Sequence, residues 1–182
     1  MTLRPRSFVL AVLVAGVIAW LTAPLFARSP AGPPLVDPEV LESLLPAPEG
    51  WTVARRQNKQ VLNPEYTHAF AEAVFTKGEM TVRLTIADTG ANEGSLMALA
   101  TMIMTLPEGF VGEVPPATTI RRLTIDGMPA AERWSAADLD GEFSVLINKR
   151  FVVAADGRKL DAVDTLRGIV GKVDLKRIAA LN

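Results

Sequence analysis

Histidine and carboxylate side chains are the first candidates for chemistry, because the chain has no cysteine and a single histidine. That residue, His68, lies in an alternating strand pattern with Tyr66 and Phe70 on its face. Glu72 shares this face, but four residues of strand separate the two backbones by roughly 13 Å. The pair is too far apart to act on one proton or to bind one metal ion. A partly buried or edge histidine with a hydrogen bond is the favoured interpretation.

Two short motifs resemble ion-binding loops and fail on their spacing. Residues 138–142 begin like a calcium loop, but Ala136 and Ile147 stand where the EF-hand needs an oxygen ligand and a glutamate. A solvated hairpin turn is favoured there over a loose surface calcium site. Residues 168–172 place two glycines before a lysine, yet they lack the spacer of a phosphate-binding loop. We therefore predict no metal site and no cofactor.

Carboxylates leave one route to catalysis. A hydrolase that used Glu72, Glu132 or Asp138 would need two carboxylates about 5 to 10 Å apart in a cleft, as in the carboxylate-pair mechanism. No serine lies in a Gly-x-Ser-x-Gly elbow, and a single histidine leaves little from which to build a triad. We therefore expect that the protein is not an enzyme, and a carboxylate-dependent hydrolase is the alternative.

A methionine-rich segment is the most distinctive candidate surface. Met97, Met102 and Met104 belong to a predicted helix at residues 93–106 and lie outside its main apolar stripe. Methionine provides soft, adaptable apolar surface, which serves in cores and in binding grooves alike. Core packing and a groove for a lipid, a peptide segment or a partner helix both remain open. These three methionines are the candidate ligand-binding or partner-binding residues.

The elements that must position such residues belong to a globular chain. Its 182 residues are 49% hydrophobic and 21% charged with a formal net charge of -1, which excludes disordered and fibrous classes. This charge balance gives no electrostatic reason to expect a nucleic acid partner. One ordinary domain fits the length.

The N-terminal segment predicts export across a bacterial inner membrane. Residues 8–27 contain no charged side chain and, as a helix, would reach roughly 30 Å, the thickness of a bilayer core. Arg4 and Arg6 precede the segment, so the positive-inside bias sends the following residues to the periplasmic side. The small residues that precede a cleavage site are poorly matched, because Leu21 and Leu25 occupy such positions. Residues 1–27 are thus a signal peptide or an N-terminal membrane anchor, and the protein is released or anchored accordingly.

A linker and one folded domain account for the rest of the chain. Residues 28–36 form a Pro/Gly linker, and residues 37–182 form the exported domain. Hydrophobic periodicity predicts strands at 51–58, 67–76, 79–87, 118–125, 128–135, 142–148 and 151–155, and helices after Asp37, at 93–106, after Asp161 and after Asp174. Lys77-Gly78 and Asp126-Gly127 are the clearest turn signals between neighbouring strands.

Tight turns join most of these strands, so no parallel crossover is required. We predict an α+β fold, a two-layer sandwich of a curved antiparallel sheet with helices packed on one face. An N-terminal transmembrane or signal helix precedes this domain.

Four short runs carry a resemblance to known proteins. They are Leu-Pro-Ala-Pro-Glu-Gly-Trp at 45–51, Ile-Ala-Asp-Thr-Gly at 86–90, Ile-Asp-Gly-Met-Pro-Ala at 125–130 and Val-Asp-Leu at 173–175. Together they resemble a group of small exported bacterial proteins of uncharacterised function, over roughly residues 40–182. Because the runs are turns and strand ends, the resemblance implies a fold and brings no catalytic residue.

These observations favour a non-catalytic cell-envelope module that binds a protein partner or an apolar ligand. The inner membrane is an expected partner through residues 8–27, and an envelope protein or a lipid is the expected second partner. An apolar cavity beneath the helices would favour this function. A cleft with convergent acids and a shifted pKa would favour a periplasmic carboxylate-dependent hydrolase.

Overall fold

Short turns and caps decide where the strands and helices of this chain begin and end. The computed structural model describes residues 33–62, 67–90, 103, 105–114 and 117–181. In these residues the strands are β1 (Thr52–Leu62), β2 (Thr67–Lys77), β3 (Met80–Asp88), β4 (Val111–Val114), β5 (Thr118–Ile125), β6 (Met128–Ser135), β7 (Asp140–Ile147) and β8 (Phe151–Arg158). The helices are α1 (Pro38–Glu42), α2 (Asp164–Val170) and α3 (Leu175–Ala179).

All eight strands form one antiparallel sheet in the order β1-β2-β3-β8-β7-β6-β5-β4. The first three strands and the last five strands each run as a meander, and the pairing of β3 with β8 joins the two meanders. The last strand of the chain therefore lies inside the sheet.

Both hairpins predicted from these turn signals are present, but the first turn lies one residue later than predicted. Lys77 belongs to β2 and pairs with Met80, so the turn residues are Gly78, which has φ 60, and Glu79. Asp126 and Gly127 have φ 50 and 81, which is the pair of positive φ angles that a type I′ turn requires. These turns form because glycine and aspartate adopt left-handed backbone more readily than other residues do.

The helix starts predicted at Asp37 and Asp174 are confirmed by side-chain caps. The Asp37 side chain accepts a hydrogen bond from the Glu39 amide at 2.9 Å, and the Asp174 side chain accepts one from the Arg177 amide at 2.9 Å. Asp161, predicted as the cap of the next helix, does not serve as one, because α2 begins only at Asp164. The amide of buried Leu160 donates to the carbonyl of Leu139 at 2.9 Å, which holds the chain against the β6–β7 turn just before the helix.

The main core fills the side of the sheet that faces the three helices. Phe75, Phe143 and Phe151 are its largest side chains and are almost completely buried. Burial of each such ring is worth about 1.5–3 kcal/mol relative to exposure. Leu166 in α2 and Ile178 in α3 complete the contact with the sheet. The helices are therefore held by apolar burial and not by their own length, which is five to seven residues.

The opposite side of the sheet, which we name the outer face, is partly covered as well. Val152 and Ala154 of β8 point away from the main core and pack with Ile103, Ala131 and Leu146 in a second buried cluster. The centre of the sheet is thus buried on both faces, and its alternate side chains enter two different clusters.

The predicted α+β two-layer sandwich with helices on one face is wrong. The described structure is mostly antiparallel sheet with a few short helices, and apolar residues also cover part of the outer face. Two element bounds also differ from the prediction, and both differences favour strand over helix. Strand β1 runs beyond the predicted residue 58 to Leu62, and α1 ends at Glu42 although apolar helical spacing continues to Leu45.

The predicted transmembrane or signal helix at residues 1–27 lies outside the described residues. Within the described ranges, no helix is long and apolar enough to cross a membrane. At the end of the predicted linker, the carbonyl of Pro34 and the amide of Val36 are hydrogen-bonded to side chains of the sheet.

Candidate functional site

A cavity of about 380 Å³ opens where three separate segments of the chain meet. The segment before β1, the turn between β2 and β3, and helix α2 with its flanking residues form the walls. Its lining residues are Pro48, Glu49, Trp51, Lys77, Met80, Asp161, Thr165, Gly168, Ile169 and Lys172. We name it the Trp51 cavity. Its volume lies near the lower end of the ~300–1,000 Å³ typical of ligand pockets, so it suits one bulky apolar group.

Helix α2 gives the cavity one continuous wall. Thr165, Gly168, Ile169 and Lys172 are spaced three, four and seven residues apart, which puts them on one side of a helix. Lys172 follows the end of α2, and its amide donates to the carbonyl of Ile169 at 3.1 Å, so the turn continues to it. Leu166 points to the main core and fixes the helix on the sheet.

Trp51 and Met80 form the apolar part of the opposite wall. The chain reverses at Gly50, which has φ 75, and the Trp51 amide donates to the carbonyl of Pro48 at 3.3 Å. Met80 opens β3 directly after the hairpin turn. Both side chains are half-buried and pack against the main core, so the core itself supports the cavity wall.

Charged side chains of both signs surround this apolar wall. Glu49, Lys77, Asp161 and Lys172 are exposed. In the described part of the chain, no hydrogen bond or ion pair engages any of their side chains. Each is available to a group that enters the cavity. Apolar burial would supply affinity, and the charges would fix orientation.

A second candidate site lies on the outer face, where charged side chains cross four strands in register. Arg83 of β3 pairs with Asp156 of β8, Asp156 pairs with Glu142 of β7, and Glu142 pairs with Arg133 of β6. We name these four residues the ionic row. Arg133 is 3.4 Å from Glu142, whereas Arg83 is 3.5 Å from Glu72 on the neighbouring strand.

Asp156 is the unusual member of the ionic row. Burial raises its pKa above the ordinary value, Glu142 and Glu72 raise it further, and Arg83 and Arg158 oppose the shift. Asp156 lines a depression of about 160 Å³ together with Arg83 and Arg158, and Glu142 is not among the lining residues. The depression therefore presents one carboxyl group between two guanidinium groups, and not a pair of carboxylates.

The three acids predicted for a hydrolase are not brought together. Glu72 lies on the outer face, where it accepts a hydrogen bond from Gln57 at 3.1 Å. Glu132 is buried on the helix side and accepts from Arg167 Nε at 2.8 Å. Asp138 lies in the β6–β7 turn and accepts from the Ser135 hydroxyl at 2.7 Å. Two of the three are engaged in structural contacts on opposite sides of the sheet, and the third is in a turn.

His68 occupies the partly buried strand position that the sequence predicts. Its ring centroid is 5.9 Å from that of Phe70, and burial lowers its pKa. His68 and Glu72 share one face of β2 without meeting, as their spacing predicts.

The candidate methionines Met97, Met102 and Met104 lie outside the described residues. Ile103, which belongs to the predicted apolar stripe, is described and is fully buried in the second cluster on the outer face. The remainder of the stripe lies outside the described residues, so the stripe and the role of the three methionines stay predictions.

Sequence reasoning missed a buried ion pair. Asp88 at the end of β3 receives bonds from Arg150 Nε at 2.8 Å and Nη2 at 2.7 Å, and both side chains are at most 5% exposed. The Val36 and Gly90 amides donate to the same carboxylate, and Arg150 also donates to the Pro34 carbonyl. The ion pair thus holds the chain at Pro34 and Val36, where the domain begins, against the sheet. Its only sequence signal is an acid at the end of a buried strand.

No family model, curated protein or solved structure matches this chain.

Proposed function

We propose that the protein is a non-catalytic module of the bacterial cell envelope that binds a protein partner or an apolar ligand. The Trp51 cavity is the observation that carries this proposal, since it joins the apolar Trp51, Met80 and Ile169 to charged groups of both signs. A pocket with an apolar floor and a polar rim is the arrangement in which anchor residues of binding partners are buried.

Among its described residues the same cavity offers no activated hydroxyl nucleophile, although the carboxylates Glu49 and Asp161 also line it. Thr165 supplies its one described hydroxyl, and no hydrogen bond from this hydroxyl to a base is found in the described ranges. A nucleophile needs such a base within hydrogen-bond reach to be activated. This lining therefore supports binding over nucleophilic catalysis by a hydroxyl group.

Photo-crosslinking within the intact envelope tests the proposal. A benzoylphenylalanine is incorporated at Thr165 in the cavity, or at Lys176, which is exposed in α3 and does not line it. We expect a discrete adduct from position 165 that position 176 does not give, and about ten-fold less of it in the Trp51→Ala background. Equal adduct patterns at the two positions, or none at either, would contradict the proposal.

The proposed location is the periplasmic side of the inner membrane, either anchored through residues 8–27 or released after cleavage. This part rests on the uncharged segment behind Arg4 and Arg6. Fractionation with a C-terminal epitope tests it. We expect a full-length band in the membrane or a shortened band in the periplasm, and a full-length soluble band in the cytoplasm would overturn it.

A carboxylate-dependent hydrolase is the second candidate, and the raised pKa of Asp156 is the observation that favours it. A carboxyl group whose pKa is raised keeps its proton to a higher pH, which is the property that a general acid needs. If this function holds, Asp156→Asn abolishes turnover of the native substrate and leaves crosslinking from position 165 intact. If the Asp156→Asn variant keeps turnover and loses crosslinking from position 165, the ionic row is not the catalytic site.

A further inference from the structure

Three glycines in and around α2 differ in what a side chain would meet. At Gly157 an added Cβ would lie 2.8 Å from Leu160 Cδ1 and 3.0 Å from Leu166 Cδ2. At Gly141 it would lie 2.9 Å from the carbonyl oxygen of Arg133. Both glycines are needed so that the helix and strands can approach closely.

Gly168 has no such steric reason. A Cβ at this position would meet nothing within 4 Å, and its φ is not in the left-handed region. Glycine inside a helix is less stable than alanine, because it loses more backbone freedom on folding. The chain therefore carries a destabilising residue at a position where the fold itself would accept a larger one.

The open space at Gly168 is the Trp51 cavity. The residue lines this cavity between Thr165 and Ile169, so a side chain there would enter the space that faces Trp51. The missing side chain widens the apolar part of the cavity. Gly168 is thus a determinant of what the cavity admits.

The charges around the cavity indicate the chemical class of the ligand. Lys77 and Lys172 attract anions, whereas Glu49 and Asp161 attract cations, and within the described residues none of the four is paired. A fatty acid or a simple anion would satisfy only one sign and would leave the other facing a charge of its own kind. A peptide segment with acidic and basic residues on either side of a bulky apolar residue satisfies both.

We propose that the Trp51 cavity binds a protein segment through one bulky apolar side chain flanked by charges of both signs, and that Gly168 keeps the space for that side chain open. This inference rests on the binding function proposed above. It adds the class of ligand and the residue that sets its size.

Methyl NMR tests the inference. The protein is purified from cells, with its N-terminal segment retained or removed as it is in the cell. The reporters are the Met80 and Ile169 methyl groups, which line the cavity. The probe is the peptide acetyl-Lys-Glu-Phe-Glu-Lys-amide, and the same peptide with serine in place of phenylalanine is its control. We expect saturable shifts of both methyl groups with the phenylalanine peptide and at least about ten-fold weaker binding of the serine peptide.

Variants of the wall separate the role of Gly168 from general effects. Gly168→Leu should weaken binding of the phenylalanine peptide by about ten-fold or more, and Gly168→Ala should lie between it and wild type. Lys176→Leu places the same leucine on α3 outside the cavity and should bind as wild type does. Thermal unfolding of each variant verifies that the fold is retained.

Three outcomes would overturn the inference. They are equal binding by Gly168→Leu and wild type, no methyl shift with the phenylalanine peptide at millimolar concentration, and shifts with decanoate but not with the peptide. Equal binding by Gly168→Leu removes the role of Gly168, and either of the other two outcomes removes the peptide assignment. If the Thr165 crosslink persists, the binding function proposed above still stands. If the crosslink is absent as well, the binding function fails with it.

Discussion

Two aspartates of this sheet, Asp88 and Asp156, show how hydrogen-bond donors decide the state of a buried carboxyl group. Burial alone would raise the pKa of Asp88, but bonds from Arg150 and from the Val36 and Gly90 amides lower it below its ordinary value. Asp156 is also withdrawn from water, yet its pKa is raised, because burial and two neighbouring glutamates outweigh Arg83 and Arg158. The charged form of Asp88 is therefore stabilised and holds a structural ion pair, whereas the charged form of Asp156 is disfavoured.

Removal of the Arg150 guanidinium should have the largest effect. Arg150→Met leaves Asp88 buried with no cation, which should lower the free energy of unfolding by about 3–5 kcal/mol in urea titrations. Lys159→Met is the matched control, since Lys159 and its partner Glu79 are 65% and 82% exposed. That variant should lose less than about 1 kcal/mol. Equal losses of unfolding free energy in the two variants would show that the buried ion pair between Asp88 and Arg150 does not stabilise the fold.

Acid should remove the advantage that Arg150 gives to Asp88. The folded-state pKa of Asp88 is below its ordinary value of 3.8, so its contribution is present above that pH and is lost as the pH falls through the folded-state pKa. The difference in unfolding free energy between wild type and Arg150→Met should therefore narrow from pH 7 to pH 3. Urea titrations at several pH values measure it, and a constant difference would contradict this linkage.

Asp156→Asn should have a smaller effect of the opposite sign. A raised folded-state pKa favours the protonated form, so the charge on Asp156 weakens the fold at pH 7 and ceases to do so in acid. The variant should gain up to about 1 kcal/mol at pH 7 and nothing at pH 3. Asp126→Asn, in a turn that asparagine also suits, should change neither value. A gain for Asp156→Asn that persists in acid would contradict the charge explanation.

Local chemistry explains which elements could be predicted from the sequence. The hairpin turns at Gly78 and at Asp126-Gly127, and the helix starts at Asp37 and Asp174, depend on residues close in the chain. Each is present, and only the first turn is displaced, by one residue. Strand β4 was missed because its four residues, with a glycine and no alternation, carry no periodic signal.

The fold class could not be predicted because it depends on distant contacts. Apolar runs such as 151–155 indicate burial, but not that alternate side chains enter two clusters on opposite faces. The same limit applies to the sites. The Trp51 cavity joins residues that lie more than one hundred positions apart, and Asp88 lies 62 positions from Arg150. The spacing of residues in a single sequence does not predict such long-range contacts.

The position of β8 inside the sheet limits when the sheet can form during synthesis. Because this strand lies between β3 and β7, the two meanders cannot join until the ribosome has made β8 as far as Arg158. Pairing of such distant segments is intrinsically slow. The entropy cost of closing a long loop comes before any stabilising contact between the strands can form. Until that point the polypeptide lacks a finished sheet.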